Sequence, residues 1–169
     1  MIHSKLEEVI NQQINAELYS AYLYLSMAAY FESVNLPGFA NWMRVQFEEE
    51  QFHGLKFYNY LISRGGRVKL EAIEAPQFEW KSPLEVFEHT LEHEKHVTAL
   101  LNNIAEVAEV EKDRATRNLM VWFIDEQVEE EGNAEKIINE LKMIGGEGHG
   151  MLMLDREFST RVFTPPVNA

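Results

Sequence analysis

The sequence carries two sets of metal-ligating side chains at matching intervals. The first set is Glu17, Glu50 and His53, and the second is Glu94, Gln127 and Glu130. In each set the first member precedes the second by 33 residues, and the second set repeats the first after 77 positions. The last two members of each set are three residues apart, which places them on one face of a helix. This spacing predicts a duplicated helical hairpin whose halves share one polar site.

The four glutamates of these sets fall on the apolar stripes of their predicted helices. A buried carboxylate without a partner takes up a proton or is matched by a cation. A single glutamate in such a place is most often explained by a position near a helix end, but these four lie near helix centres. No Lys or Arg stands beside them on the stripes. Four carboxylates balance two divalent cations, and with one imidazole they favour iron or manganese.

Helical periodicity predicts an all-α fold, a four-helix bundle with one long crossover loop and a short fifth C-terminal helix. Ser4 and Ser82 begin capping-box patterns, and Asp113 is suited to an N-cap. Glycine pairs at 65–66 and 145–146 are typical of helix ends. One domain is expected over residues 1–169, with helices at about 5–34, 37–64, 83–110, 113–144 and 148–158, the crossover loop at 65–82 and an extended or disordered tail at 160–169.

The segment 67–81 shows neither helical nor strand periodicity. A helix of about 27 residues is roughly 40 Å long, and about fifteen extended residues span up to about 50 Å. The segment can therefore run the length of the bundle, which makes the second and third helices parallel. Its apolar residues are expected to pin it to the outside of the bundle: Val68, Leu70, Ile73, Phe78 and Trp80.

The composition argues against several classes of function. A formal net charge of −13 disfavours a nucleic-acid partner, because phosphate binding needs clustered Lys and Arg, and it favours cations instead. The absence of cysteine excludes disulfides, iron–sulfur clusters and thiolate metal sites. No apolar run approaches the ~20 residues of a membrane span, and the N-terminus lacks a secretory apolar core. A cytoplasmic protein without a membrane partner is expected.

The first half fits the general pattern of ferritin-like di-iron bundles, in which single glutamates from two helices join Glu-x-x-His pairs from two others. Over residues 1–160 the chain resembles bacterial non-haem ferritin. The resemblance lies in residues 18–25 (LYSAYLYL), 64–68 (RGGRV) and 122–130 (WFIDEQVEE). It implies a hollow shell of 24 chains that oxidises Fe(II) with O2 or H2O2, as a ferroxidase, and stores the ferric mineral.

The resemblance also implies which residues hold iron. A first iron site would use Glu17, Glu50 and His53. A second would use Glu50, Glu94 and Glu130 with Gln127 close by, so that Glu50 bridges two ions. A third, weaker site would use Glu49, Glu126, Glu129 and Glu130 and would help to move ferric iron onward to the cavity.

Other positions distinguish this chain from related di-iron proteins. Bacterioferritins repeat Glu-x-x-His in both halves and carry a haem-ligating Met where Phe52 stands here, so no haem is expected. Rubrerythrin-like proteins usually add a cysteine-ligated iron domain, which a chain without cysteine cannot form. Tyr24, two helical turns after Glu17, is either a core tyrosine or an electron donor beside the metals. Two other functions stay open, a structural cation-binding bundle and a non-storing di-iron oxidase or peroxidase.

Two segments predict assembly into an oligomer. A monomer rarely leaves a large apolar patch in water, and the loop 67–81 carries several apolar residues. The segment 151–158 is too short to be a stable helix by itself. Both are explained if neighbouring chains cover them, the loop at a two-fold contact and the fifth helix at a higher-order axis.

Overall fold

The computed structural model describes residues 1–166, and residues 167–169 of the predicted tail lie outside the described part. It contains five α-helices: α1 (Ser4–Ser33), α2 (Pro37–Ser63), α3 (Pro83–Val110), α4 (Arg114–Ile144) and α5 (Gly148–Phe158). Residues 1–166 contain no β-strand, so the fold is all-α as predicted. Residues 161–166 follow α5 without regular secondary structure. No helix within this range is long and apolar enough to cross a membrane.

Side-chain contacts establish the helix directions. Gln46, early in α2, contacts Glu130 in the second half of α4. Arg64, just after α2, contacts Asp113 just before α4, so these two helices are antiparallel. The side-chain pairs between α1 and α3 show that these helices are also antiparallel. Because α1 turns back directly into α2, α2 and α3 run parallel, which confirms the bundle with one long crossover.

The crossover between α2 and α3 runs along α1, and polar side chains anchor it. Three α1 residues bond to its backbone: Asn11 to Arg67 and Lys69, Asn15 to Ala72, and Ser26 to Gln77. Trp80 is buried and Val68 is partly buried, as expected. Leu70, Ile73 and Phe78 are exposed, so within one chain they do not pin the segment to the bundle. Hydrogen bonds from α1 fix the loop there instead.

The helix ends follow most of the sequence signals. The side chains of Ser82 and Asp113 accept hydrogen bonds from the first turns of α3 and α4, as predicted. At α1 the start is shifted, because Ser4 is the first helical residue and His3 occupies the N-cap. α4 ends at Ile144 and is capped by Gly145, whose φ of 72° lies in the left-handed region that favours glycine.

α5 docks on the start of α2 within the same chain. Asp155 Oδ1 accepts hydrogen bonds from the backbone N–H groups of Gly38, at 2.8 Å, and Phe39, at 3.2 Å. α5 therefore supplies the cap that Leu36, at the N-cap position of α2, does not provide through its side chain. A Cβ at position 38 would lie 1.6 Å from the carbonyl oxygen of Asp155, so the close approach requires glycine there.

The apolar face of α5 belongs to the core of its own bundle. Its buried residues are Met151, Leu154 and Phe158. The Phe158 ring lies 4.8 Å from the ring of Phe39, at an interplanar angle of 73°. The burial of this face needs no neighbouring chain, contrary to the expectation from the sequence. The opposite face exposes Leu152 and Met153.

The core consists of two apolar clusters with a polar layer between them. One cluster holds Phe31, Phe39 and Phe87 together with α5, and the other holds Phe57 and Phe123. Along each of the four long helices, the residues of one cluster come before the predicted ligands and the residues of the other come after them. The predicted ligands therefore lie at one level in the middle of the bundle.

Candidate metal centre

All four long helices contribute buried polar residues to this middle layer. The six predicted ligands of the two sets are at most 7 % exposed: Glu17, Glu50, His53, Glu94, Gln127 and Glu130. Transferring a carboxylate from water to a protein interior costs several kcal/mol unless a counter-charge and hydrogen bonds compensate it. The buried carboxylates of this layer therefore need hydrogen-bond donors or cations to offset the cost of their burial.

The first half of this layer, formed by Glu17, Glu50 and His53, is a compact group of ligands. Glu17, Glu50 and His53 each offer a ligand atom, and these three atoms lie within 4.8 Å of one another. Gln13 Nε2 donates to Glu17 Oε1 at 2.8 Å. The other oxygen, Glu17 Oε2, is buried and has no hydrogen-bond partner within residues 1–166. A cation fits this arrangement, because it would pair with the buried oxygen of Glu17 and take the neighbouring carboxylate and imidazole as further ligands.

The second half is held by hydrogen bonds from neutral donors. Gln127 Nε2 donates to Glu94 Oε2 at 2.9 Å, and the hydroxyl of Tyr24 donates to Glu94 Oε1. Gln46 Nε2 donates to Glu130 Oε2 at 2.8 Å. Among His, Asp and Glu side chains of the described residues, Glu94 and Glu130 do not join Glu50 in a group of three with ligand atoms as closely spaced as those of Glu17, Glu50 and His53. The carboxylates of the second half are therefore positioned but not gathered.

Burial raises the pKa of all four glutamates. The rise is large for Glu17, where the charge of Glu50 adds to desolvation, and for Glu50, where the charge of Glu94 adds to it. Desolvation and the charge of Glu94 raise the pKa of Glu130 to about 8. Desolvation also raises the pKa of Glu94, and its hydrogen bonds oppose that rise. Without a cation the layer therefore holds protons near neutral pH, and a binding cation displaces them.

Tyr24 stands in the second half as a buried donor. Its side chain is fully buried, and desolvation followed by the charge of Glu94 raises its pKa well above the ordinary value. The phenol therefore stays protonated and donates its hydrogen bond to Glu94. Its ring lies 6.2 Å from the ring of His93 at 83°, which fixes it from a second side.

Aromatic rings orient the imidazole of His53. The Trp122 ring lies 5.5 Å away at 77°, and the Phe123 ring 5.9 Å away at 76°. Phe123 itself stacks on Phe57 at a centroid distance of 4.0 Å. These contacts restrict the orientation of the imidazole, so that one of its nitrogens lies close to Glu17 and Glu50.

The three remaining predicted ligands lie outside the buried group. Glu49 and Glu126 are half-buried, and Glu129 is exposed. Arg161 Nη2 lies 2.7 Å from Glu49 Oε2. Within residues 1–166 these carboxylates do not form a closely spaced ligand group. The structure therefore separates a buried centre from an outer set of acidic side chains.

Sequence reasoning missed three residues of this region, Gln13, Gln46 and Arg161. The two glutamines carry a signal, because each stands one helical turn before a glutamate of the first half and 33 residues separate them. They are the donors to Glu17 and Glu130. Arg161 carries no such signal, since it pairs with a residue 112 positions away.

A bundle of this topology with carboxylates at its centre has known relatives. The family model of the ferritin-like domain matches residues 7–144. This chain belongs to the ferritin family. It is 43 % identical over 161 residues to the bacterial non-heme ferritin of Bacteroides fragilis (strain 638R), across 95 % of this chain and 100 % of that ferritin. It is 40 % identical over 163 residues to the bacterial non-heme ferritin of Staphylococcus aureus (strain MRSA252), across 96 % of this chain and 98 % of that ferritin.

Solved ferritin structures superpose on the whole bundle. An engineered closed form of the Archaeoglobus fulgidus ferritin is 52 % identical with a TM-score of 0.95, over 97 % of this chain and 100 % of that chain. A structure described as a novel open pore ferritin from the same hyperthermophilic archaeon is also 52 % identical, with a TM-score of 0.94 over 96 % and 100 %. The likeness to non-haem ferritin and the ferritin-like fold, both predicted from the sequence, are confirmed.

Proposed function

We propose that this ferritin oxidises Fe(II) at a two-iron centre within one chain and stores the ferric product in a hollow homo-oligomer. The group of Glu17, Glu50 and His53, with its unpaired buried oxygen, carries the proposal. Hard anionic oxygen ligands stabilise Fe(III) relative to Fe(II), so this donor set favours oxidation. Membership of the ferritin family supports iron as the metal.

Glu50 is the proposed bridge between the two iron ions. Its Oε2 lies 3.8 Å from Nδ1 of His53 in the first half, and the charge of Glu94 in the second half raises its pKa. It therefore interacts with both halves. Glu17 and His53 would complete one ion, and Glu94 and Glu130 the other, with Gln127 alongside.

The proposed reaction takes one electron from each of two Fe(II) ions. With H2O2, two Fe(II) and two protons give two Fe(III) and two molecules of water. With O2 as the acceptor, the same two electrons and two protons give H2O2. The layer loses protons as the two ions bind, since its carboxylates must ionise to act as ligands. Tyr24 holds Glu94 in place and is proposed as a further electron donor.

The outer carboxylates are proposed as a third, weaker iron site. Its ligands would be Glu49, Glu126 and Glu129 together with Glu130. In a variant with both Glu49→Ala and Glu126→Ala, the iron bound per chain should fall from about three toward about two, because the two buried positions keep their ligands. An anaerobic Fe(II) titration that still gave the wild-type number would contradict this site.

Storage requires an assembly, and we propose a homo-oligomer of 24 chains. The exposed crossover residues Leu70, Ile73 and Phe78 support a contact between chains, because three large apolar side chains of one loop lie in water. Size-exclusion chromatography of the purified protein tests this. Elution as a monomer of about the chain mass of 19.7 kDa at micromolar concentration would leave only a non-storing oxidase or peroxidase.

The deciding experiment is an anaerobic Fe(II) titration followed by exposure to oxidant. The proposal expects tight binding of about two Fe(II) per chain, rapid oxidation, and then accumulation of iron far beyond the ligands of the chain. Turnover that stops at two irons would indicate the oxidase or peroxidase. Absence of tight binding would indicate a structural bundle and overturn the proposal.

A further inference from the structure

Arg161, just after α5, makes three contacts with α2. Its Nη2 donates to Glu49 Oε2 at 2.7 Å, and its Nη1 donates to the carbonyl oxygen of Trp42 at 3.3 Å. Its guanidinium carbon lies 4.5 Å from the centroid of the Trp42 ring. The side chains of Arg161 and Glu49 are 24 % and 22 % exposed, so this is a largely covered pair. Arginine suits this position because one planar group stacks on a ring while donating at its edge.

The backbone that carries Arg161 is also fixed to α2. Asn41 Nδ2 donates to the carbonyl oxygens of Phe158 and Arg161, both at 2.9 Å. Asp155, one helical turn before Phe158, caps the first turn of α2. Two residues after Arg161, Phe163 packs 6.1 Å from the ring of Phe52. The segment is therefore anchored on both sides of Arg161, and the guanidinium is delivered to Glu49 by a fixed backbone.

The charges around Glu49 favour a cation at this place. Glu49 is half-buried and lies between Glu48 and Glu50 in a run of three carboxylates on α2. Its Oε2 accepts a hydrogen bond from Arg161 Nη2 at 2.7 Å. The guanidinium is therefore the counter-charge of the Glu49 carboxylate in this structure.

We propose that Arg161 is a tethered counter-cation that competes with metal ions for Glu49 and sets the affinity of the outer carboxylates. The inference rests on the proposed function, in which Glu49 is a ligand of the third site. A metal ion that binds Glu49 competes with the guanidinium for the same carboxylate, and the two positive charges repel each other at this range. Metal binding at Glu49 is therefore weakened for as long as the side chain of Arg161 keeps this position.

The test removes the charge of Arg161 and counts bound metal. Wild type and Arg161→Gln are titrated as assembled full-length protein with redox-inert Zn(II), and calorimetry gives the number of equivalents and their Kd values. The third equivalent should bind about tenfold more tightly to Arg161→Gln, because no charged hydrogen bond has to break first. The first two equivalents should be unchanged, because Arg161 does not touch the buried ligands.

Matched variants identify the cause. Arg156→Gln removes the same charge from an exposed position of α5 and should leave all equivalents unchanged. Arg161→Lys keeps a cation near Glu49 and should stay close to wild type. In a Glu49→Gln background the third equivalent should be weak, and adding Arg161→Gln should not tighten it. Circular dichroism of each variant checks that the helices remain folded.

The outcomes separate this inference from the proposed function. A third equivalent that binds Arg161→Gln within twofold of wild type, while two tight equivalents persist, overturns the role of Arg161 alone. Tightening that persists in the Glu49→Gln background overturns it too, since the effect would not pass through Glu49. Failure of wild type to bind two tight equivalents would overturn both the inference and the two-metal centre.

Discussion

The buried carboxylates in the two halves of the polar layer have different partners. In the first half, Glu17, Glu50 and His53 gather their ligand atoms within 4.8 Å, and Glu17 Oε2 has no partner in the described residues. In the second half, Glu94 accepts hydrogen bonds from Gln127 and from Tyr24. The first half therefore leaves one carboxylate oxygen without a hydrogen-bond donor, whereas both oxygens of Glu94 in the second half accept hydrogen bonds.

This difference follows from the residue types at equivalent positions. The first half offers Glu50 and His53 where the second offers Gln127 and Glu130. A glutamine carries its own N–H donors, so Gln127 satisfies Glu94 without any ion. The equivalent of Gln127 in the first half is Glu50, whose carboxylate has no N–H group to donate to Glu17. The two halves of a near-symmetric sequence repeat therefore differ. A metal ion could bind the first half without breaking a hydrogen bond to Glu17 Oε2, whereas binding to Glu94 would break hydrogen bonds from Gln127 or Tyr24.

Glu50→Ala should have the largest effect, because it removes the group that couples the halves. We expect the initial rate of Fe(II) oxidation to fall about a thousandfold, which corresponds to about 4 kcal/mol of activation free energy. The fold should remain intact or become more stable, since a buried charge is lost. Stopped-flow absorbance measures the rate, and the exposed Glu48→Ala serves as the control. Unchanged initial kinetics would rule out the bridge.

The metal-free protein should lose stability as the pH rises from about 5 to about 8. The glutamates of the layer have folded pKa values above their unfolded value, about 8 for Glu130, so the native state binds more protons. Their contribution is fully present below pH ~4.5 and is lost as the pH rises through the folded pKa. We expect a loss of about 3 kcal/mol in the free energy of unfolding over this range, measured by urea denaturation.

Two variants sharpen that pH experiment. Glu130→Gln should flatten the loss, because one of the raised pKa values disappears. Asp113 should act with the opposite sign, since its hydrogen bonds with Arg64 lower its pKa to about 2. Its contribution is present above pH ~4 and is lost as the pH falls through about 2, so Asp113→Asn should not change the slope between pH 5 and 8. Equal slopes for wild type and Glu130→Gln would contradict the assignment.

The contrast between the halves predicts unequal effects of two matching substitutions. Glu17→Gln should stabilise the metal-free protein at pH 7 by about 1–2 kcal/mol, because a buried acid with one unpartnered oxygen is replaced by a neutral amide. Glu94→Gln should give no gain or a loss of about 1 kcal/mol, since Tyr24 and Gln127 donate to different oxygens of Glu94 and the amide keeps only one of them. Urea denaturation compares the two. Equal changes in stability would mean that the halves do not differ as described.

Tyr24→Phe should have the smallest effect and should act on one half only. Loss of the hydroxyl removes a donor that positions Glu94, so the second Fe(II) should bind about fivefold more weakly, about 1 kcal/mol, while the first is unchanged. An anaerobic titration measures both constants. Tyr30→Phe, on the same helix and packed against Trp80, is the control and should change neither. Weaker binding of the first ion would contradict the separation of the halves.

The sequence by itself determined the helices, the crossover and the level of the site. Periodicity and end signals such as Ser82 and Asp113 are local, so they could be read without knowledge of packing. The interval of 33 residues between Glu17 and Glu50, and between Glu94 and Gln127, is also visible in the sequence. Because the rise per residue of an α-helix is known, the position of each of these residues along its helix axis could be predicted. The polar positions on apolar stripes were enough to predict a shared buried layer.

Only the tertiary structure decided which partners those carboxylates have. Gln46 is one turn from Glu50 in sequence yet donates to Glu130 on another helix, and Arg161 reaches Glu49 only because α5 docks on α2. The same holds for the cap of α2, which comes from Asp155 rather than from the preceding residue. Such pairings depend on the angle and spacing between helices, to which a one-dimensional pattern of polar and apolar residues is insensitive.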